Sequence, residues 1–87
     1  MTDRPPITHR LKCESEYFYA TKWGEKMFEV RIDDRDYRKH DFIELVRCVK
    51  GVVVEPGEEI RTQISFVLRG FRGVKRGWAV LGIERMI

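Results

Sequence analysis

The sequence lacks any long apolar run, and no segment of its 87 residues approaches the ~20 apolar residues that a membrane-spanning helix needs. No signal peptide opens it, because the first residues are polar and interrupted by prolines. We therefore expect a cytoplasmic protein that makes no contact with a membrane.

Cysteine is scarce, and the two cysteines, Cys13 and Cys48, stand far apart in the chain. Neither belongs to a C-x-x-C pair or has a histidine at metal-ligand spacing. Isolated cysteines in a cytoplasmic chain are typically buried and reduced. The sequence thus predicts two buried thiols and gives no indication of zinc.

Motifs of catalytic machinery are also missing. There is no phosphate-binding G-x-x-x-x-G-K-[ST] loop, and the serines and histidines belong to no nucleophile elbow or triad. Asp33, Asp34 and Asp36 begin like a calcium loop, but the glycine and the final glutamate of such a loop are absent. We therefore expect no cofactor and no metal.

The composition that remains describes one foldable domain spanning residues 1–87, with residues 1–7 as a loose N-terminal tail. Hydrophobic residues make up 43% of the chain and charged residues 36%, which is typical of a globular protein rather than a disordered one. The net charge of +3 is unevenly distributed. Residues 1–68 carry 12 basic and 13 acidic groups, whereas residues 69–87 carry a net charge of +4.

Periodicity predicts a mainly β domain of the α+β class. Residues 14–24 form the one convincing helix, and we expect its aromatic residues Tyr17 and Phe18 to pack in the core. Alternating apolar residues indicate strands at 8–13, 27–32, 41–49, 52–54, 60–68 and 78–87. In the strand at 60–68, Phe66 is expected to face inward with Ile64. Five or six short strands with one early helix suit a small closed β-barrel.

The segment 24–35 concentrates charge around a short apolar strand. Alternation places Phe28, Val30 and Ile32 on one face, which we interpret as the core face. Glu29 and Arg31 then share the opposite face. A surface ion pair explains such a pattern as simply as a binding site does.

The spacing Gly24-x-Lys26-x-x-Glu29-x-Arg31 resembles the G-x-K-x-x-E-x-R signature of ASCH domains, relatives of the PUA RNA-binding barrel. The further motifs that carry the resemblance are Leu11-Lys12, Glu16-Tyr17-Phe18, Asp34-Arg35, Asp41 and the segment Gly73-Val74-Lys75-x-Gly77-Trp78-Ala79-Val80-Leu81-x-Ile83. Together they are similar to a small ASCH-like family of bacteriophages and their bacterial hosts. The chain departs from that pattern at His40, where the family usually has Gly, and at Asp33, where Asn is common. The resemblance implies a PUA-like barrel, in the host cytoplasm if the protein is phage-encoded.

The sequence suggests two candidate binding regions. The first is a cleft beside the helix lined by Lys12, Lys26, Glu29, Arg31 and Arg35, although Arg35 is equally suited to bracing a turn. The second is the loop 69–77, in which Phe71, Arg72, Lys75 and Arg76 are suited to single-stranded nucleic acid. The alternative for the loop is a solubilising hairpin whose Phe71 and Val74 fold back onto the barrel.

We therefore expect a monomer that binds RNA, a nucleotide or a modified nucleoside, and binding is a simpler interpretation than catalysis. The resemblance also implies an enzyme alternative, a small amidohydrolase acting on N4-acetylcytidine, with Lys26 and Glu29 as its candidate catalytic residues. Lys26 matches the lysine of those enzymes, but Glu29 stands where they have threonine. A third alternative is a phage protein that binds a host protein, which an exposed apolar patch near Trp23 or Trp78 would indicate.

Overall fold

Alternating apolar and polar residues account for most of the secondary structure. A computed structural model describes residues 4–86, and no helix in that range is long and apolar enough to cross a membrane. The elements are β1 (Thr8–Glu14), α1 (Ser15–Lys22), β2 (Phe28–Ile32), β3 (Phe42–Val49), β4 (Val52–Val53), β5 (Glu59–Leu68) and β6 (Trp78–Arg85). The predicted helix and strands are confirmed, with ends that coincide or differ by one or two residues.

The strands form one curled sheet, a half-barrel, in the order β1-β3-β5-β6-β2, with the short β4 paired to β3. β1 and β3 are parallel, and the remaining pairs are antiparallel. The predicted small barrel architecture with one early helix is thus confirmed, but the sheet does not close. β1 and β2 are its two edges, and we call the gap between them the open seam.

The core lies on the concave side of this sheet. Its buried members are Leu11, Cys13, Phe18, Tyr37, Ile43, Leu45, Ile60, Ile64, Ala79, Leu81 and Ile83. α1 contributes Phe18 and directs the buried Thr21 to the same side. Tyr17, which we expected in the core, is exposed instead, because neighbouring residues of a helix point about 100° apart. Cys13 and Cys48 are buried free thiols, as predicted.

The alternation predicted for β2 is confirmed, but its assignment of faces is wrong. Phe28, Val30 and Ile32 are 45%, 50% and 54% exposed, whereas Glu29 is only 3% exposed. Glu29 and Arg31 pair with the buried residues of β6, Leu81 and Ala79, and therefore point inward. The charged face turns inward because the buried carboxylate has cationic partners, described below, that offset its loss of hydration.

Phe66 is likewise exposed rather than inward-facing. The register of β5 against β6 shifts between Ile64 and Phe66, so a β-bulge reverses the alternation that the sequence suggests. Gly82 of β6 lies opposite Phe66, and a Cβ atom there would lie 3.0 Å from the Ser65 hydroxyl oxygen. A larger residue there would need the Ser65 side chain to shift by a few tenths of an ångström, so the close approach of the bulge favours glycine at this position.

A buried ion network fixes the start of the chain. Asp41 accepts hydrogen bonds from Arg4 Nη1 and Nη2 at 2.7 and 2.8 Å, contacts His9 Nε2 at 2.8 Å, and accepts from the backbone N–H of Ile7 and Arg38. Arg4 and Ile7 of the predicted loose tail are thus anchored, while residues 1–3 lie outside the described residues. Burial alone would raise the pKa of Asp41, but these hydrogen bonds outweigh it and hold the pKa well below its usual range.

The direction of this shift predicts the response to acid. A folded-state pKa below the unfolded value contributes stability at pH values above about 4, and this stability is lost as the pH falls through the folded pKa. We expect Asp41→Asn to lower the free energy of unfolding by about 3 kcal/mol at neutral pH and to weaken its decline below about pH 4. Denaturant titrations at several pH values measure both effects, with the exposed Asp34→Asn as the control. An unchanged acid dependence in Asp41→Asn would contradict this role.

His40 occupies a backbone conformation that favours glycine, with φ of 80°. We expect His40→Gly to raise the free energy of unfolding by about 0.5 kcal/mol, since relief of strain exceeds the added chain entropy. Lys39→Gly, outside the left-handed region, should instead destabilise the protein. Urea denaturation tests both variants, and a loss of stability in His40→Gly would refute the assignment of strain.

Candidate functional site

The open seam is spanned by arginine side chains. Arg31 Nη2 donates a hydrogen bond to the carbonyl oxygen of Lys12 on β1 at 2.9 Å. Arg35 Nη1 approaches the carbonyl oxygen of Arg10, also on β1, at 3.4 Å. The two sheet edges therefore lie within the reach of one arginine side chain, and the space between them forms clefts.

The largest of these, the seam cleft, has a volume of about 460 Å³. It lies beside the first turns of α1, as the sequence predicts. Its lining comprises Lys12, Cys13, Glu14, Tyr17, Lys26, Phe28, Glu29, Val30 and Arg31. The fold thus brings together four of the five predicted cleft residues.

Glu29 is the centre of the seam cleft. Its Oε1 accepts from Arg31 Nε at 3.1 Å and Nη2 at 2.7 Å, and its Oε2 contacts Lys26 Nζ. The carboxylate is nearly inaccessible to solvent, and both of its oxygens contact these cations. Glu29 therefore positions Lys26 and Arg31 side by side, rather than standing at the surface of the cleft.

Lys26 is surrounded by aromatic rings and a carbonyl oxygen. Its Nζ lies 5.0 Å from the ring centre of Phe28 and 5.9 Å from that of Tyr17, within the range of cation–π attraction. The same atom donates to the Phe28 carbonyl oxygen at 2.6 Å. Tyr17 and Phe28 are about half exposed, so each presents an aromatic surface at the cleft.

Cys13 and Glu14 complete the β1 side of the cleft without offering a nucleophile. Burial, with the nearby Glu29 carboxylate adding to it, raises the pKa of the Cys13 thiol to about 11. Glu14 accepts hydrogen bonds from the Cys48 thiol and from the backbone N–H of Lys50 and Gly51. Cys13 is therefore an un-ionised thiol at neutral pH, and Glu14 braces the turn after β3.

Sequence reasoning missed five lining residues, which are Cys13, Glu14, Tyr17, Phe28 and Val30. The signal for Cys13 is its alternation with Leu11, which directs both side chains to the concave side of β1. The signal for Tyr17 is the spacing of Phe18 and Thr21, three residues apart, which defines the buried side of α1 and leaves Tyr17 away from it.

Arg35 belongs to a second depression, the adjacent cleft, of about 380 Å³. The adjacent cleft shares Val30 and Arg31 with the seam cleft and extends to Trp78. Arg35 thus lies next to the predicted site rather than in the seam cleft itself. Its contact with the Arg10 carbonyl oxygen is compatible with the bracing role considered from the sequence.

The loop 69–77 forms a third depression of about 420 Å³, bordered by Phe71, Arg72, Arg76 and Trp78 among others. Arg69 is already bound, because its Nε and Nη2 donate to Asp33 at 2.6 and 3.1 Å. Of the ion pairs within residues 4–86, none includes Arg72, Lys75 or Arg76.

Phe71, another of the predicted loop residues, is 61% exposed. Val74 is half-buried, so only this part of the expected fold-back occurs. Trp78 connects the loop to the adjacent cleft, since it borders both depressions.

The chain matches one protein-family profile over almost all of the residues described above. A family profile described as "Domain of unknown function (DUF3850)" matches residues 8–83. The chain belongs to the DUF3850 family. The matched region of this DUF3850 domain includes every residue of the seam cleft and the whole loop 69–77. A search of curated proteins finds no match.

The ion group at the seam cleft yields a prediction about stability. Glu29→Gln leaves the ammonium of Lys26 and the guanidinium of Arg31 side by side without a counter-charge. We expect a loss of about 2 kcal/mol in the free energy of unfolding, less than for a fully buried pair because both cations are partly hydrated. Guanidinium denaturation measures this loss, and Glu25→Gln on the exposed turn before β2 is the matched control. Equal stabilities of the two variants would contradict the central role of Glu29.

Proposed function

We propose that this DUF3850 domain binds RNA, or a nucleotide, in the seam cleft. The observation that carries the proposal is the seam cleft itself, which combines aromatic surfaces with cations held by a buried carboxylate. Its volume of about 460 Å³ lies within the range of small-molecule sites. A nucleoside fits such a space.

Different side chains of the lining suit the base and the phosphate of a nucleotide. The exposed ring of Tyr17 offers a surface on which a base can stack, and stacking of this kind tolerates any base. Lys12 and Lys26 supply ammonium groups for phosphate oxygens, and Arg31 supplies a guanidinium beside them. Glu29 holds Lys26 and Arg31 in place before a ligand arrives, so little ordering is required on binding.

The neighbouring depressions favour a strand over a single nucleotide. The adjacent cleft adds Arg35 next to Arg31, and Trp78 leads from there to Arg72 and Arg76. Cations that alternate with aromatic rings along a surface are typical of sites for single-stranded nucleic acid. The resemblance of the Lys26, Glu29 and Arg31 spacing to ASCH domains supports the same proposal.

The amidohydrolase alternative has one observation in its favour, the contact between Lys26 and Glu29 at the cleft. Such a pair could transfer protons to and from a substrate. Against it, Glu29 replaces the threonine of the enzymes that the motif resembles, and both of its oxygens already have cationic partners. Binding therefore remains the simpler proposal.

Binding of a short single-stranded RNA tests the proposal, measured by fluorescence anisotropy at several salt concentrations. We expect Lys26→Ala to weaken binding about tenfold, which corresponds to a loss of about 1.4 kcal/mol. Replacing Arg72, Lys75 and Arg76 together by Ala should lower the slope of log affinity against log salt by up to about 2, since each lost phosphate contact contributes about 0.7. Lys39→Ala, an exposed cation away from the seam, is the matched control.

Two outcomes would overturn the proposal. One is the absence of any binding to RNA or mononucleotides at low salt, and the other is equal affinity in Lys26→Ala and Lys39→Ala. Incubation of the wild-type protein with N4-acetylcytidine, followed by chromatography, tests the enzyme alternative on the same samples. Turnover that disappears in Lys26→Ala would replace binding by catalysis as the function of the cleft.

A further inference from the structure

The inward turn of Glu29 and Arg31 leaves an apolar surface on the other side of the sheet. Its members come from three neighbouring strands and are Phe28, Val30 and Ile32 of β2, Trp78 and Val80 of β6, and Phe66 and Leu68 of β5. We call this surface the outer apolar face. The strand register makes it continuous, because Val80 lies between Val30 and Leu68.

Four of the seven members of the outer apolar face are 45% to 60% exposed, and Leu68, Trp78 and Val80 are half-buried. Phe66 is 60% exposed and Val30 is 50% exposed, and the seven residues include no charged side chain. The four most exposed members alone present roughly 400 Å² of apolar surface, which is as large as the largest patch on a typical monomer. Apolar patches of this size are often functional.

The arrangement of this face is self-complementary about Val80. On β6, Trp78 lies two residues before Val80, and Gly82 lies two residues after it. Gly82 has no side chain, and the register places it between Phe28 and Phe66. A two-fold axis that lies between the two stacked sheets, parallel to them and perpendicular to β6 at Val80, would therefore place the Trp78 ring of each copy over the low point at Gly82 of the other copy.

Charges at the two ends of the face follow the same symmetry. Glu84 is exposed on the same side of β6, two residues beyond Gly82. Lys75 and Arg76 are exposed just before Trp78, at the opposite end. None of the three takes part in an ion pair within the described range 4–86. The same two-fold axis would bring Glu84 of one copy towards Lys75 and Arg76 of the other.

We propose that the outer apolar face is a two-fold interface between two copies of this chain. The second copy is favoured over a foreign protein because the high and low points and the opposite charges match under one axis. A stable interface buries about 800 Å² of surface on each partner. The apolar face alone is smaller than this, so the interface must also include the charged residues at its ends. We therefore expect a weak dimer, with a dissociation constant of about 10 μM. This proposal replaces the monomer expected from the sequence.

Sedimentation velocity from about 1 to about 500 μM protein tests the interface, a range that spans the expected dissociation constant. We expect the wild type to shift from monomer to dimer across this range. Phe66→Glu should stay monomeric throughout, because a charge would be buried at the interface. Val52→Glu, at a residue 69% exposed on β4, is the matched control and should dimerise like the wild type. Circular dichroism verifies that both variants are folded.

A charge exchange tests the two-fold geometry itself. Glu84→Arg and the paired change Lys75→Glu with Arg76→Glu should each weaken dimerisation about tenfold, and the three changes together should restore it. A wild type that is monomeric at every concentration would overturn the proposal and leave the face to a different partner. A dimer that is insensitive to Phe66→Glu, or a triple variant that fails to recover, would overturn this interface.

Discussion

The buried contact of Glu29 with Lys26 and Arg31 determines how the edge of this sheet is arranged. A carboxylate loses several kcal/mol of hydration when it is buried, and it tolerates the interior only with partners that restore this loss. Because both cations come from the same segment of chain as Glu29, β2 can turn its charged face inward. The seam cleft follows directly, since this face points towards β1.

The same group of side chains bridges the opening of the sheet. Closure of the barrel would require β1 and β2 to exchange backbone hydrogen bonds along their facing edges. Instead, the side chain of Arg31 reaches the Lys12 carbonyl oxygen across the gap, while its other N–H groups bind Glu29. Arg31 thus satisfies both a buried carboxylate and an acceptor on the edge of β1, where a closed barrel would have backbone hydrogen bonds. Open strand edges attract other strands, and the charged side chains along this seam oppose such pairing.

The sequence predicts most elements of this fold, because alternation is a local property that each strand displays separately. The errors arise where the outcome depends on distant residues. Alternation shows that Phe28 and Val30 share a face, but it does not show which face is buried. Phe66 points outward because of a bulge that the register with β6 sets. For the site, the motif spacing brings Lys26, Glu29 and Arg31 together. The position of Tyr17 follows from the spacing of Phe18 and Thr21, which marks the side of α1 that docks on the sheet.

β2 connects the two surfaces for which we propose functions. Successive residues of a strand point to opposite sides, so Glu29 belongs to the ligand cleft and its neighbour Val30 to the outer apolar face. A change at Val30 would disturb both surfaces, because this residue also borders the seam cleft. Lys26 and Phe66 each lie on one surface alone. Ligand binding in the seam cleft and self-association are therefore separable by substitution, whereas Trp78 and Arg76 belong both to the dimer interface and to the path proposed for a longer RNA strand.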